Sequence, residues 1–167
     1  KTKISKKSKI FHILGEFDEL NSSIGVVLSF SDKTSNNFNK TLKNIQNKLF
    51  NIGAEVLTCN NLSKFNKKIT KKEIIYLEEK LSYFNKKLPQ IDSFVLPGGS
   101  KVSSTLHIAR AITRRIERNL VKIVSNKNNF RVNKNIIIYF NRLSDLFFVM
   151  ARFYNFKKKV KEDLWIP

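Results

Sequence analysis

The chain has 167 residues, 41% of them hydrophobic, and a formal net charge of +19, which fits one domain over residues 1–167 with a buried core. Its single cysteine excludes an intrachain disulfide, its two histidines argue against a zinc or other protein-bound metal site, and no apolar run is long enough to span a membrane. Only five glycines and three prolines occur, which favours long helices over a turn-rich β fold.

The first predicted helix covers residues 16–31, where Phe17, Leu20, Ile24 and Val27 recur at helical spacing. Its other face is polar and small. The segment before it, KTKISKKSKIFHIL, is basic and then apolar, but no small-residue cleavage pattern follows. We therefore interpret that segment as part of the mature fold rather than a targeting peptide.

Four more helices are predicted. The second covers 37–58, with an apolar stripe that runs from Phe38 to Val56. A Thr-x-x-Glu capping box at Thr70 opens the third, which extends to about Lys87. The fourth and fifth cover 101–125 and 134–155, and a short tail carries Trp165. Five amphipathic helices with short connections predict an all-α, five-helix up-and-down bundle.

The fourth helix carries a polar face. His107, Arg110, Arg114, Glu117 and Arg118 fall within one sector of about 80° at 100° per residue. Arginines at i, i+4 and i+8 repel one another, and arginine binds phosphate through two parallel hydrogen bonds. The face therefore indicates an anion site, or alternatively a solvated surface with an internal Arg–Glu pair.

Two further features are open to two interpretations. On the fifth helix, Asn141, Asp145, Phe148 and Arg152 share a face, which suits a pocket or subunit interface, or a polar network inside the bundle. The loop FVLPGGS at residues 94–100 has two glycines before a helix, which would present free N–H groups to an anion or make a tight turn.

The segments GEFDELNSSIG, NKLFNIGAEVL, FVLPGGS with LHIARAITRRIER, YFNRLSDLFFVMAR and the terminal LW occur in this order. In that series the chain resembles the PduO-type cob(I)alamin adenosyltransferases over nearly its whole length. The resemblance implies a homotrimer of helical bundles with active sites between subunits. It also implies transfer of the 5′-deoxyadenosyl group from Mg-bound ATP to the Co(I) of cobalamin, with tripolyphosphate leaving.

The resemblance also implies roles for individual residues. By motif position, contacts to ATP fall to six of them: Lys6, Arg114, Arg115, Glu117, Arg118 and Asn141. Asp18 and Arg110 match a pair that forms a salt bridge beside the corrinoid. Phe94 matches the phenylalanine that crowds the lower face of the corrin ring, and Phe148 matches another apolar corrinoid contact. Excluding a lower axial ligand with an apolar wall makes cob(II)alamin easier to reduce.

The sequence departs from the family pattern near the nucleotide. The family opens with a Thr-Gly-Asp-x-Gly segment that wraps the ATP phosphates, and this chain begins about where that segment ends. Either the segment has been removed or the protein lacks it, and a true absence would weaken ATP binding and activity. His12 also stands where the family usually has glutamate, and we expect it to pack against the bundle.

Three hypotheses remain at this point. The first is the active adenosyltransferase, cytoplasmic in bacteria or mitochondrial in eukaryotes and not secreted, with an adenosylcobalamin-dependent acceptor enzyme as an allowed partner. The second is a non-catalytic cobalamin-binding or delivery protein of the same fold. The third is a basic helical nucleic-acid-binding protein, since the pI is near 10. Against the third, lysine is spread along the chain as on a solvated surface, whereas every arginine lies between Arg110 and Arg152.

Overall fold

The computed structural model describes residues 9–32, 36–58, 68–125 and 132–166. These residues form five helices, which confirms the all-α bundle. The helices are α1 (Lys9–Phe30), α2 (Asn36–Leu57), α3 (Lys71–Asn85), α4 (Lys101–Ser125) and α5 (Lys134–Lys157). The only extended pairing in these parts of the chain is an isolated antiparallel bridge between Val95 and Leu164.

Helix α1 begins at Lys9, seven residues before the predicted start at residue 16. The prediction was wrong because Ile10 and Ile13, which precede Phe17 by seven and four residues, continue the same apolar stripe. Both side chains are buried in the core. Residues seven and four apart lie on one face of a helix, so their burial extends the helix toward the N-terminus.

Helix α3 begins where the capping box predicts. The Thr70 hydroxyl accepts a hydrogen bond from the Lys72 N–H at 3.2 Å, and the Glu73 carboxylate accepts one from the Thr70 N–H at 2.9 Å. Glu73 also pairs with Lys48 of α2 at 2.9 Å. Burial alone would raise the pKa of Glu73, but the hydrogen bonds from Thr70 and Lys48 outweigh it and lower the pKa to about 2.

The helices pack so that α4 lies between α1 and α5, with α2 against α1 and α3 against α5. Aromatic contacts hold the bundle together, as in the stacked pair of Phe17 and Phe140, whose centroids are 5.3 Å apart. Phe38 of α2 meets Phe84 of α3 edge-on at 6.1 Å, which closes the bundle on its other side. This order places the polar face of α4 next to both α1 and α5.

The loop before α4 is fixed against the end of α5. The side chain of Asn155 accepts hydrogen bonds from the Ser100 N–H at 3.0 Å and hydroxyl at 2.9 Å, and donates one to the Gly98 carbonyl at 3.3 Å. Gly99 has a φ of 91°, and a Cβ there would overlap the Asn155 amide. The glycine therefore serves a tight turn, in the left-handed region that only glycine adopts freely.

Candidate functional site

An open cleft lies where the loop before α4, the middle of α4 and α5, and the C-terminal tail meet. We call it the aromatic cleft. Its volume is about 630 Å³, and its lining residues are Ile91, Asp92, Ser93, Phe94, Val95, Arg110, Phe148 and Trp165. Three residues that the resemblance assigned to the corrinoid, Phe94, Arg110 and Phe148, therefore come together although they are far apart in sequence.

Phe94 projects into this cleft with 77% of its surface exposed. It stands beside Trp165, with ring centroids 6.2 Å apart and planes at 70°. The backbone holds the two residues together, because the Trp165 N–H donates to the Phe94 carbonyl at 2.7 Å. A large apolar side chain left exposed in a concave site is a feature of ligand pockets rather than of ordinary surface.

Arg110 forms the charged wall of the cleft. Its guanidinium lies 6.0 Å from the centre of the Phe148 ring, and its buried Nε has no hydrogen-bond partner among the described residues. Burial and the neighbouring Arg114 lower the pKa of Arg110. A buried donor without an acceptor costs free energy, so this nitrogen is suited to an acceptor from outside the chain.

His107 lies behind the cleft and is buried, although the sequence placed it on the polar face of α4. Its ring meets Phe148 edge-on at 6.1 Å, because α5 packs over that edge of the face. Burial, and then the charge of Arg110, lower the pKa of His107 to about 4. The imidazole is therefore neutral near pH 7 and adds no charge beside Arg110.

The rest of the polar face divides into paired and unpaired groups. Arg115 donates to Glu16 of α1 at 3.0 Å and also pairs with Glu19. Glu117 accepts a hydrogen bond from Asn141 of α5 at 3.0 Å. Arg114 and Arg118 are exposed and form no ion pair or hydrogen bond within the part of the chain that the structure describes. These two guanidiniums are thus available to an anion.

Asp18 lies outside the aromatic cleft. It lines an apolar groove of about 370 Å³ between α1 and α2, which we call the α1–α2 groove. Phe50 borders the same groove with 70% of its surface exposed. No ion pair joins Asp18 to Arg110 across the described residues, so a single chain does not form the salt bridge that the resemblance implies.

The predicted face of α5 also divides. Asp145 pairs with Arg142 at 3.3 Å, whereas Arg152 is buried and pairs with Glu162 of the tail at 3.0 Å. Phe148 thus lines a pocket and Asn141 joins an interhelical polar contact with Glu117. Arg152 bonds the tail and the Pro89 carbonyl rather than another helix.

Three remaining expectations concern the nucleotide side. The Ser100 N–H bonds to Asn155, so this amide of the glycine loop is not free for an anion. His12 is exposed rather than packed into the bundle, because it points away from the stripe of Ile10 and Ile13. Lys6 lies outside the described residues.

Sequence reasoning missed Trp165 as a site residue. Trp165 is the only tryptophan of the chain. It lies in the terminal LW segment that the chain shares with the family, and that shared motif could have identified it as a site residue. Within the described ranges, no helix is long and apolar enough to cross a membrane. The same residues contain no group of three or more His, Cys, Asp or Glu side chains that could hold a metal ion.

Comparisons with known proteins identify a family. The family model described as cobalamin adenosyltransferase matches residues 1–154. The corrinoid adenosyltransferase of Bacillus subtilis (strain 168) is 36% identical over 148 residues, which cover 84% of this chain and 72% of that protein. The human corrinoid adenosyltransferase MMAB is 32% identical over 165 residues, which cover 96% of this chain and 65% of that protein.

Solved structures give the same result. A variant PduO-type ATP:corrinoid adenosyltransferase from Lactobacillus reuteri, complexed with cobalamin and ATP, superposes with a TM-score of 0.87. It is 32% identical in sequence, and the match covers 98% of this chain and 90% of that one. The family predicted from the sequence is confirmed, and the chain belongs to the cobalamin adenosyltransferase family.

Proposed function

We propose that the protein transfers the 5′-deoxyadenosyl group of Mg-bound ATP to the Co(I) of cobalamin, which yields adenosylcobalamin and tripolyphosphate. The observation that carries this proposal is the position of the aromatic cleft beside unpaired arginines of the same helix, α4. Relatives named as corrinoid adenosyltransferases, and a related structure holding both cobalamin and ATP, support it.

The unpaired arginines suit the phosphate side of the reaction. Co(I) attacks the 5′ carbon, the C–O bond breaks with its electron pair on oxygen, and negative charge grows on the departing triphosphate. Arg114 and Arg118 are exposed and can reach that charge without breaking an existing ion pair. Fixed cations directed at developing charge lower the barrier. To contact ATP, Arg115 would have to break its ion pairs with Glu16 and Glu19. Its predicted contact is therefore less favourable than the contacts of Arg114 and Arg118.

The hydrogen bond from Asn141 of α5 to Glu117 of α4 fixes two further residues that the resemblance assigned to the nucleotide. In that position they can orient ATP relative to the cleft. Mg²⁺ usually keeps several waters and binds through substrate phosphates together with one or two carboxylates. A metal ion that enters on ATP therefore needs no ready-made protein cluster, which fits the residues present.

The aromatic cleft suits the corrinoid side. Phe94, Phe148 and Trp165 offer three ring faces or edges, and none of them carries a group that ligates cobalt. An apolar wall against the lower face of the ring displaces water and the lower axial ligand. Loss of that donor favours reduction of cob(II)alamin to the nucleophilic Co(I) state.

We also propose that the active site forms between copies of a homotrimer. In one chain, Asp18 lines the α1–α2 groove and Arg110 lines the aromatic cleft. Arg110 Nε has no partner among the described residues. Phe50 and Leu57 of the α1–α2 groove are exposed in the monomer. A head-to-tail contact that brings the α1–α2 groove of one copy to the aromatic cleft of the next would satisfy all of these groups.

The reaction is tested by an anaerobic spectral assay of cob(I)alamin with Mg-ATP, carried out on the natural full-length protein. We expect conversion to adenosylcobalamin, with tripolyphosphate released in equal amount. The control variant Lys86→Ala removes one exposed positive charge just after α3, at a residue that does not line the aromatic cleft, and should leave the rate unchanged. Binding of cobalamin without turnover would replace the proposal with a delivery protein of the same fold.

The trimer is tested by mixing inactive variants. Asp18→Ala and Arg110→Ala chains are unfolded together, refolded at equal concentration and assayed. If the two residues act across an interface, each mixed trimer regains one intact site, and random assembly restores about one quarter of wild-type activity. If both residues act within one chain, the mixture stays as inactive as either variant alone, and the intersubunit site is refuted.

A further inference from the structure

We propose that the buried pair of Arg152 and Glu162 is a positioning element for the cobalamin-facing aromatic side chains. In this role the pair docks the C-terminal tail, and the tail in turn holds Phe94 and Trp165 in the wall of the aromatic cleft. The inference rests on the proposed function for its effect on catalysis. Its structural part, the docking of the tail by one ion pair, stands independently of that function.

The pair joins three separate segments of the chain. Arg152 lies on α5 with 4% of its surface exposed. Its Nε donates to Glu162 of the tail at 3.0 Å, and its terminal nitrogen donates to the carbonyl of Pro89, in the connection after α3, at 3.1 Å. A guanidinium removed from water in this way requires its counter-ion, because an unpaired buried charge is strongly destabilising.

The tail then pairs with the loop that carries Phe94. Immediately after Glu162, the Asp163 carbonyl accepts a hydrogen bond from the Leu96 N–H at 2.8 Å, and the Trp165 N–H donates to the Phe94 carbonyl at 2.7 Å. These two bonds flank the bridge between Val95 and Leu164. A two-residue ladder of this kind is marginal alone, so an anchor at its start decides whether it persists.

Other contacts fix only the turn that precedes Glu162 among the described residues. Lys158 pairs with Asp32 at 2.7 Å. After the turn at Lys159, which has a φ of 55°, the Val160 N–H donates to the Asn155 carbonyl at 2.9 Å. The residues beyond Glu162 have exposed side chains and bury little apolar surface. Without the ion pair, the tail would therefore separate from the Phe94 loop, and that loop would lose one strand of its support.

The pair differs from the other ion pairs of the chain. Arg115 and Arg142 also bond carboxylates, but their side chains are about 42% and 43% exposed, whereas that of Arg152 is 5% exposed. Exposed ion pairs contribute little. Among the described residues, the Arg152 pair is therefore the one that combines a buried guanidinium with a position that controls another segment. The second carboxylate oxygen of Glu162 has no partner among the described residues, so glutamine can keep the hydrogen bond from Arg152 Nε while it removes the counter-charge.

The first test is amide hydrogen exchange on the full chain, which needs no catalysis. In Glu162→Ala we expect exchange at the Leu96 and Trp165 amides to accelerate about tenfold or more, since local opening sets their protection. The amides of α4 should be unaffected. Glu162→Gln keeps the hydrogen bond but loses the counter-charge, so it should accelerate exchange less than Glu162→Ala does. Lys161→Ala, which changes the exposed residue beside the pair, should preserve protection. Unchanged exchange in Glu162→Ala would overturn the proposal.

The second test compares two routes to product. Glu162→Ala should lower turnover from cob(II)alamin with a reductant more than turnover from cob(I)alamin, and should leave the KM for ATP unchanged. In a Phe94→Ala background the Glu162→Ala change should add little, because residues that act through one another are not additive. Additive losses, or equal loss in both routes, would reject positioning through Phe94. Lack of turnover in the wild-type protein would refute the proposed function but leave the exchange result standing.

Discussion

Phe94→Ala should lower activity much more than it lowers the stability of the fold. Phe94 is 77% exposed, so only about a quarter of its surface leaves water on folding. Since full burial of such a side chain contributes roughly 1.5–3 kcal/mol, the buried quarter contributes less than about 1 kcal/mol. Its edge-on contact with Trp165 adds about 0.5–1.5 kcal/mol. The free energy of unfolding should therefore fall by no more than about 2 kcal/mol, and the bundle should remain intact.

The effect on catalysis should be larger and depend on the route. When cob(II)alamin is the starting material, the variant has lost part of the wall that excludes a lower ligand, and we expect at least about a tenfold loss, equivalent to 1.4 kcal/mol. When cob(I)alamin is supplied, the loss should be smaller. The assay follows adenosylcobalamin formation anaerobically by both routes, alongside urea unfolding monitored through the sole tryptophan. Equal loss by both routes would refute ligand exclusion by Phe94.

Three other changes probe the rest of the molecule. Arg114→Ala should raise the KM for ATP about tenfold or more, because a charge-assisted phosphate contact is lost, and steady-state kinetics that match the wild type would reject this contact. Gly99→Ala should lower the free energy of unfolding by about 1–3 kcal/mol because of its positive φ and the Asn155 amide. Gly25→Ala should not, because its Cβ would make only an ordinary contact with Gln46 Nε2 at 3.8 Å. The free energy of unfolding should fall as pH drops from the ordinary histidine pKa near 6.5 toward the pKa of His107 at about 4. In that range only the unfolded state binds the proton. Urea unfolding of His107→Gln should not show this dependence of stability on pH.

Much of the fold could be predicted because local patterns determine it. The α2 stripe from Phe38 to Val56 is buried at every predicted apolar position, and the capping box places the start of α3 at the predicted residue. Both features depend only on residues within a few positions of one another. The start of α1 was missed because its stripe continues through Ile13 and Ile10 into a segment that is basic and then apolar, and that segment was not included in the predicted helix.

The site could be predicted only where motifs connect distant residues. Helical spacing put His107 on the polar face of α4, but the side chain is buried. Spacing within α4 cannot show that Phe148 of α5 covers that edge of the face. Helical spacing also put Phe148 and Arg152 on one face, although one lines the cleft and the other bonds the tail. Which side of a helix is covered depends on tertiary packing, and no periodicity within that helix records it.

The arginines show how the structure separates residues that look alike in sequence. With 32 basic and 13 acidic side chains, most cations cannot find a carboxylate, so an unpaired lysine on the surface carries no information. Arginine is confined to one region, and there Arg115, Arg142 and Arg152 each bond carboxylates.

The described arginines without such a partner are Arg110, Arg114 and Arg118, and they lie at i, i+4 and i+8 on α4. Like charges at that spacing repel one another, and the only carboxylate among them, Glu117, is bonded to Asn141. In the proposed trimer Asp18 of the next copy would neutralise Arg110, which leaves Arg114 and Arg118 unpaired. The polyphosphate of the proposed substrate would then relieve the repulsion that remains on this helix.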